Sequence, residues 1–293
     1  MNKKNNLRQI LRKYKVLALQ LQFEINKKID EITNTEFVPI LHYQIDNWGD
    51  AINRDIVQFI TAKKVLSIDI DVRKKYKEFN GRLDAYMCIG SILSHADSNT
   101  IVWGSGFQDP VILKEKPKEI CAVRGPLTKK VLSDNDIECP SIYGDPALIL
   151  PSIYSPTNVD CNYDLGLIVH RKDLDSPLLK KFKNDQRIKL ISMKNTKLEL
   201  IDEVLECKNI VSSSLHGLIL GDAYEKATGW IRITDKIAGS LFKYHDYHAS
   251  LSIDMHSPLQ LDYSTTIDDL LSICRVRRVS LNVEKLLQAC PFH

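Results

Sequence analysis

Residues 210–224, with the sequence IVSSSLHGLILGDAY, join a predicted strand directly to a predicted helix. The short run at 210–212, which begins with Ile and Val, is typical of a buried strand. A helix is predicted over 216–224, and a further strand follows at 229–233. A strand, a helix and a second strand in this order form the repeating unit of a parallel sheet covered by helices. This stretch therefore predicts an α/β fold.

The same alternation extends over most of the sequence. Short apolar runs predict further strands at 37–43, 65–70, 85–89, 100–103, 165–170 and 188–191. Helical patterns between them predict helices at 50–64, 126–133, 177–184 and 198–207, and another extended run begins at Ile142. Strands that alternate with helices in this way favour parallel sheets with helices on both faces.

One segment interrupts the alternation and suggests how the chain is divided. Residues 151–162, PSIYSPTNVDCN, are rich in Pro, Ser and Asn, which is typical of a linker. We therefore predict two Rossmann-like domains, over 37–150 and over 163–293, the second ending in closing helices. Open α/β folds bind ligands beyond the carboxyl ends of their strands, so a central cleft between the domains is the expected site.

Composition excludes several classes of protein. The 293 residues include 40 Lys and Arg against 37 Asp and Glu, a balance too weak for a protein that binds nucleic acid by charge. No run of 18 apolar residues is present, so no membrane-spanning helix is predicted. Seven scattered cysteines without a C-x-x-C pair indicate reduced thiols in a cytoplasm, and neither a disulfide framework nor a metal site is expected.

Residues 1–36 predict an amphipathic helix with a basic start. Between Met1 and Val16 there are six basic residues and no acidic ones. Such a helix can lie on an anionic membrane surface. It can equally pack on the protein with its lysines in water, and the sequence leaves both alternatives open.

The strongest candidate for a catalytic group is His216, where the quoted strand meets its helix. The preceding residues Ser213, Ser214 and Leu215 place hydroxyl and backbone N–H groups at a helix start, which attracts anions. The imidazole pKa near 6.5 suits proton transfer at neutral pH. The alternative is a serine that caps the helix beside a histidine that merely packs.

Other candidate site residues lie at strand ends and turns. Arg124, before Gly125 and Pro126, can clamp a carboxylate or phosphate, or pair with a surface acid. Glycines at such turns allow close approach of a ligand, and the carboxylates can instead cap helices. This group comprises Asn47, Gly49, Asp50, Gly90, Ser91 and Asp145, with Lys236 and Lys243 as further cations beyond the quoted helix.

Four motifs in order resemble the polysaccharide pyruvyl transferase family. They are N-W-G-D at 47–50, V-R-G-P-L-T at 123–128, G-D-P-A-L at 144–148 and S-S-S-L-H-G-L-I at 212–219 with a later D-K. The similarity runs from about residue 40 to residue 247. It implies a fold like that of the GT-B glycosyltransferases, with phosphoenolpyruvate as donor, a pair of sugar hydroxyls as acceptor and a pyruvate ketal as product.

The resemblance also implies roles for three residues. His216 matches the family's candidate catalytic acid, Arg124 its strand-end arginine, and Lys236 a lysine about twenty residues past the histidine. Family members commonly have arginine where this chain has Ser214. No metal or cofactor is implied. The expected setting is bacterial capsule or exopolysaccharide assembly in the cytoplasm, with a saccharide acceptor that is often lipid-linked, near the inner membrane.

Two other functions remain open from the sequence. The first is a nucleotide-sugar glycosyltransferase of the same architecture, although the second half contains no obvious signature for a base pocket. The second is a non-catalytic carbohydrate-binding subunit of an assembly complex, which the replacement of arginine by Ser214 keeps open. Turnover of phosphoenolpyruvate separates this subunit from the transferase.

Overall fold

The computed structural model describes residues 37–44, 47–75, 83–157, 159–194, 197–235 and 239–292. The predicted N-terminal helix and Lys236 lie outside these residues. The described chain is an α/β protein with two parallel five-stranded sheets. Every strand pairing within the two sheets is parallel, as the alternation of strands and helices predicts.

The first sheet is built from the first half of the chain. Its strands are β1 (Phe37–His42), β2 (Lys64–Asp69), β3 (Ala85–Met87), β4 (Thr100–Trp103) and β5 (Glu119–Ala122), in the spatial order β2-β1-β3-β4-β5. The helices are α1 (Trp48–Thr61), α2 (Ile70–Lys75), α3 (Pro126–Ser133) and α4 (Leu150–Ile153), with 3₁₀ turns at Leu93–His95 and Pro146–Ile149. The apolar strands β1 and β4 are mostly buried and lie on either side of the central strand β3.

The second sheet repeats the plan. Its strands are β6 (Tyr163–Val169), β7 (Ile188–Ser192), β8 (Cys207–Ser212), β9 (Ala227–Arg232) and β10 (Leu259–Gln260), in the order β10-β9-β8-β6-β7. The helices are α5 (Lys180–Lys183), preceded by a 3₁₀ turn at Pro177–Leu179, α6 (Lys197–Leu205), α7 (Leu215–Ala223), α8 (Phe242–Ser250), α9 (Ile267–Ser272) and α10 (Ser280–Gln288).

One apolar cluster joins the two sheets. Ile52 and Ile56 of α1 pack in the same buried cluster as Leu218 and Ile219 of α7, together with residues of the turn at Pro146–Ile149. The backbone N–H of Trp48 also donates to the carbonyl of Met193 at 3.0 Å. Burial of this apolar surface holds the carboxyl ends of the two sheets close together.

The last helix returns to the first sheet. The indole N–H of Trp103 on β4 donates to the carbonyl of Leu286 at 2.9 Å. Phe292 packs against the rings of Trp103 and Tyr86, with ring centroids 5.7 and 4.6 Å away. The segment that follows the second sheet therefore completes the core of the first.

Most predicted elements are confirmed, with small shifts at their ends. The strand at 100–103 and the helix at 126–133 have the predicted bounds, whereas the helix predicted at 50–64 begins at Trp48 and ends at Thr61. The extended run predicted from Ile142 makes a single bridge, between Val123 and Tyr143, and is not part of a strand of the described sheets. Across the described ranges, no helix has the length and apolar character needed to cross a membrane.

Candidate functional site

A cavity of about 160 Å³ lies where the carboxyl ends of the two sheets meet. Pockets for drug-sized ligands have volumes of about 300–1,000 Å³, so this cavity is smaller than most of them. The first half of the chain and the second half both line it, through Tyr43, Asn47, Asp50, Gly90, Ser91, Ile92 and Gln108 and through His170, Ser214, Leu215, His216 and Lys243. Eight of these twelve residues are site candidates from the sequence.

The start of α7 forms one part of the wall. Ser214 is the N-cap residue, but its side chain makes no capping hydrogen bond within the described part of the chain. Ser212 holds the turn instead, since its hydroxyl accepts from the N–H of Ser214 and lies within donating distance of the carbonyls of Ile168 and Ser214, at 3.1 and 2.9 Å. The first N–H groups of a helix have no partner inside the helix, so this end of α7 presents donors and a positive partial charge.

His216 is held against the start of α1. A β-carbon built on Gly49 would overlap the Nδ1 and Cε1 atoms of the imidazole. The pKa of His216 is lowered to about 3. Burial is the main cause, and the neighbouring charges of Lys243, Arg124 and His170 contribute to the same shift. The ring is therefore neutral at pH 7 when the cavity holds no anion.

Two further bases line the same cavity, and their pKa values are lowered for the same reasons. The pKa of Lys243 is lowered to about 8, chiefly by burial and then by the charge of Arg124. Burial lowers the pKa of His170 to about 4, with Lys243 and Arg171 adding to the effect. Three basic groups with lowered pKa values around one small cavity indicate a site that an anion would stabilise.

Asp50 is an acidic group of the same cavity, and its pKa is shifted in the opposite direction. Its carboxyl accepts a hydrogen bond from the side-chain amide of Asn47, which precedes α1. Burial raises the pKa of Asp50 to about 6, although the bonds from Asn47 and Tyr43 and the charge of Arg171 oppose the increase. Asp50 lies inside α1 and not at its N-cap, so the capping alternative for this residue is wrong.

Arg124 lies behind the cavity and does not line it. The guanidinium is buried and donates to Asp246 at 3.0 Å, to the hydroxyl of Ser91 at 2.6 Å and to the carbonyl of Phe107 at 2.6 Å. Asp246 is buried as well and also accepts from the backbone N–H and the hydroxyl of Thr128. Arg124 thus joins the turn after β5 to α8, and it reaches the cavity through Ser91.

The remaining candidates occupy supporting positions. Gly90, with φ of +119°, lines the cavity in a conformation that favours glycine. Ser213 is buried and accepts from the N–H of His170 at 3.0 Å, while its carbonyl accepts from the hydroxyl of Tyr244. Asp145 caps the 3₁₀ turn at Pro146–Ile149 through the N–H of Ala147, and burial raises its pKa to about 6.

Four residues of the wall were not predicted from the sequence. Tyr43 and His170 follow β1 and β6 directly, so the strand-end position that pointed to other candidates could have identified them. Ile92 and Gln108 lie in irregular segments and gave no such signal. Within the described ranges, no three His, Cys, Asp or Glu side chains are grouped so that they could hold a metal ion.

The fold and the cavity define an α/β protein with a small cavity, lined in part by basic side chains, between two parallel sheets. A sequence model of the polysaccharide pyruvyl transferases matches residues 37–235, and the chain belongs to that family. It is 27% identical, over 240 residues, to an uncharacterised protein of Acanthamoeba polyphaga mimivirus, and the match covers 80% of each chain. No solved structure matches the chain.

Proposed function

We propose that the protein transfers pyruvate from phosphoenolpyruvate to two hydroxyls of a sugar and forms a pyruvate ketal. The observation that carries this proposal is the group of three basic side chains, Lys243, His170 and His216, around a cavity of about 160 Å³. Phosphoenolpyruvate is a small molecule with one phosphate and one carboxylate, and a cavity of this size and charge suits it. Membership of the family supports the same reaction.

The donor anions would lie against Lys243 and the start of α7. An ammonium group and helix N–H donors both bind phosphate and carboxylate through charge-assisted hydrogen bonds. Ser91, held by Arg124, would contribute a hydroxyl to the same wall. Arg124 itself is then a positioning residue, because its N–H groups already donate to Asp246, Ser91 and Phe107. Lys236 stays a candidate for a further cation.

The reaction needs one acid and one base. The acid protonates the methylene carbon of phosphoenolpyruvate, and a sugar hydroxyl attacks the adjacent carbon and loses its proton. Phosphate then leaves with the C–O electron pair, the second hydroxyl attacks, and its proton leaves with the phosphate. One donor and two hydroxyls thus give one ketal and one hydrogen phosphate. Charge that develops at these steps is stabilised by groups already fixed in place.

His216 is the proposed acid and Asp50 the proposed base. His216 is neutral when the site is empty, but the negative charge of a bound donor raises the imidazole pKa and favours uptake of a proton. Asp50, with a pKa of about 6, is mostly ionised at pH 7 and can accept a hydroxyl proton. The two groups belong to different halves of the chain, so the reaction needs both halves in place.

The proposed setting is the assembly of a bacterial surface polysaccharide in the cytoplasm. The acceptor would be the polysaccharide or its lipid-linked precursor, and residues 1–36 would contact the inner face of the membrane. The two sheets facing one cavity also support a GT-B-like arrangement of two Rossmann-like domains. A nucleotide-sugar glycosyltransferase is less favoured, because the second half of the sequence contains no obvious signature for a base pocket. The third hypothesis is a non-catalytic carbohydrate-binding subunit.

Isothermal titration with phosphoenolpyruvate tests the proposal. Lys243→Ala should weaken donor binding by about 10–100-fold, since a charge-assisted hydrogen bond contributes about 1.5–3 kcal/mol. Lys130→Ala, at an exposed lysine of α3, is the matched control and should bind the donor normally. Release of phosphate with a sugar acceptor would then separate the enzyme from a binding subunit. Equal affinity of wild type and Lys243→Ala would remove the donor from this cavity, and stabilisation by a nucleotide sugar alone would favour the glycosyltransferase.

A further inference from the structure

The residues that line the cavity fall into two chemical groups. One group is basic and comprises Lys243, His170 and His216. The other comprises Tyr43, which follows β1, and Asp50 of α1. An anionic donor is attracted to the basic side chains and repelled by a carboxylate, so Tyr43 and Asp50 are left for a different ligand.

A histidine holds the side chain of Tyr43 in the cavity lining. Its hydroxyl lies 2.9 Å from the Nε2 atom of His95, which belongs to the 3₁₀ turn Leu93–His95. The two rings meet edge to face, with centroids 5.9 Å apart and planes at 83°. Both side chains are half-buried, so part of each ring remains accessible.

The surroundings of Tyr43 are rich in hydrogen-bond acceptors. Burial raises the pKa of its hydroxyl, and the charges of Asp71, Asp69 and Asp50 raise it further. Asp69 accepts hydrogen bonds from the backbone N–H groups of Gln44 and Asp71, whereas Asp71 is an exposed residue of the first turn of α2. Carboxylates are acceptors only, and they pair well with hydroxyl donors.

We propose that Tyr43 and His95 form the subsite that binds the acceptor sugar. This assignment rests on the proposed function, and it deepens that function by placing the second substrate. A neutral pyranose has apolar C–H faces that pack on aromatic rings and hydroxyls that donate to carboxylate and imidazole acceptors. A sugar at Tyr43 would enter the cavity that Asp50, the proposed base, also lines.

Saturation-transfer NMR with simple glycosides tests the subsite directly. The probes are the methyl glycosides of glucose, galactose, mannose and N-acetylglucosamine, each measured with phosphoenolpyruvate present. We expect transfer to at least one glycoside in the wild type and a loss of at least fivefold in Tyr43→Ala. His95→Ala should lose part of the signal, and Tyr43→Phe should separate the role of the hydroxyl from that of the ring. Tyr263→Ala, at an exposed tyrosine, is the matched control.

Donor affinity keeps this test distinct from that of the proposed function. Phosphoenolpyruvate should bind Tyr43→Ala within about twofold of the wild type, while Lys243→Ala should lose the donor and keep the glycoside signal. Loss of donor binding in Tyr43→Ala would overturn the assignment. So would glycoside signals unchanged by the substitution, or no transfer to any of the four glycosides. Glycoside binding without donor binding would leave the subsite standing and overturn the pyruvyl transfer instead.

Discussion

Gly49 of α1 and His216 of α7, from the two halves of the chain, are in contact beside the cavity. A β-carbon at Gly49 would occupy the space of the imidazole atoms Nδ1 and Cε1. The backbone of α1 therefore sets the position of the ring, and the glycine of the N-W-G-D motif belongs to the support of His216. The cavity wall itself is formed by the motif's neighbours Asn47 and Asp50.

Gly49→Ala should displace His216 and lower turnover by roughly 10²–10⁴-fold, the usual contribution of a positioned proton donor. In an ordinary helix this change stabilises by about 1 kcal/mol, because alanine favours helix more than glycine. Here we expect a lower melting temperature as well, since the side chain has no space. Ala51→Gly on the same helix is the control for helix propensity. Full activity of Gly49→Ala would show that the ring position does not matter.

Arg124→Ala should destabilise the fold more than it alters donor chemistry. Removal of one partner from a buried ion pair costs about 3–5 kcal/mol, because the other charge stays buried without compensation. Both side chains of the Arg124–Asp246 pair are almost completely buried. Urea denaturation of Arg124→Ala and Asp246→Ala should show losses of this order in both variants. A stable Arg124→Ala that only binds the donor weakly would instead make Arg124 a direct donor ligand.

Binding of phosphoenolpyruvate should be accompanied by uptake of protons between pH 6 and 7. The pKa of His216 is about 3 in the empty site, so the ring enters the complex neutral and gains a proton when the donor charge raises its pKa. Titration calorimetry in two buffers with different ionisation enthalpies measures this uptake. His216→Asn should reduce it. Uptake that is unchanged in His216→Asn would assign the proton to another group, such as His170.

His248→Phe should stabilise the protein, and more so at acid pH. His248 is fully buried on α8, and neither ring nitrogen has a hydrogen-bond partner among the described residues. Burial, followed by the charges of Arg277, His256 and His245, lowers its pKa to about 3. Between pH 6.5 and about 3 the unfolded chain therefore binds a proton at His248 that the folded chain does not bind. The free energy of unfolding falls as the pH falls through this window.

The test compares the variant with the wild type at each pH, because the raised pKa values of buried carboxyls such as Asp145 and Asp222 act in the opposite direction and cancel in the difference. The advantage of His248→Phe should grow by up to about 1.4 kcal/mol for each pH unit between 6.5 and 4. Urea denaturation at pH 7.5, 6 and 5 measures it. A difference that does not change with pH would mean that His248 takes up its proton in the folded state.

The sequence predicts the sheets well, because buried parallel strands are short apolar runs and their helices begin at Pro or after polar turns. It also places His216, Asp50 and Lys243 near one another, since all follow strands whose ends meet. The sequence does not predict the environment of a charged group in the same way. Nothing in the local sequence around Arg124 shows that Asp246, 122 positions away, would bury its guanidinium. Contacts between distant segments decide whether a strand-end arginine meets substrate or protein.

Irregular segments gave the remaining differences. Gln108 and Ile92 reach the cavity from stretches without periodic pattern, and the run after Ile142 forms one bridge in place of a strand. Asp145, by contrast, follows a local rule, since an Asp before Pro and Ala caps the turn through the nearest N–H group. The sequence thus predicts a hydrogen bond best where a residue bonds to its own sequence neighbours.

The return of α10 to the first sheet sets an order of events during synthesis. The strands of that sheet are complete at Ala122, but Trp103 lacks its carbonyl partner until Leu286 and Phe292 have been added, about 170 residues later. At a translation rate of about 5–20 residues per second this delay lasts roughly 10–30 s. During that interval the nascent first half exposes an indole and a tyrosine ring that the finished protein covers. The newly made chain should therefore depend on chaperones until its last helix leaves the ribosome.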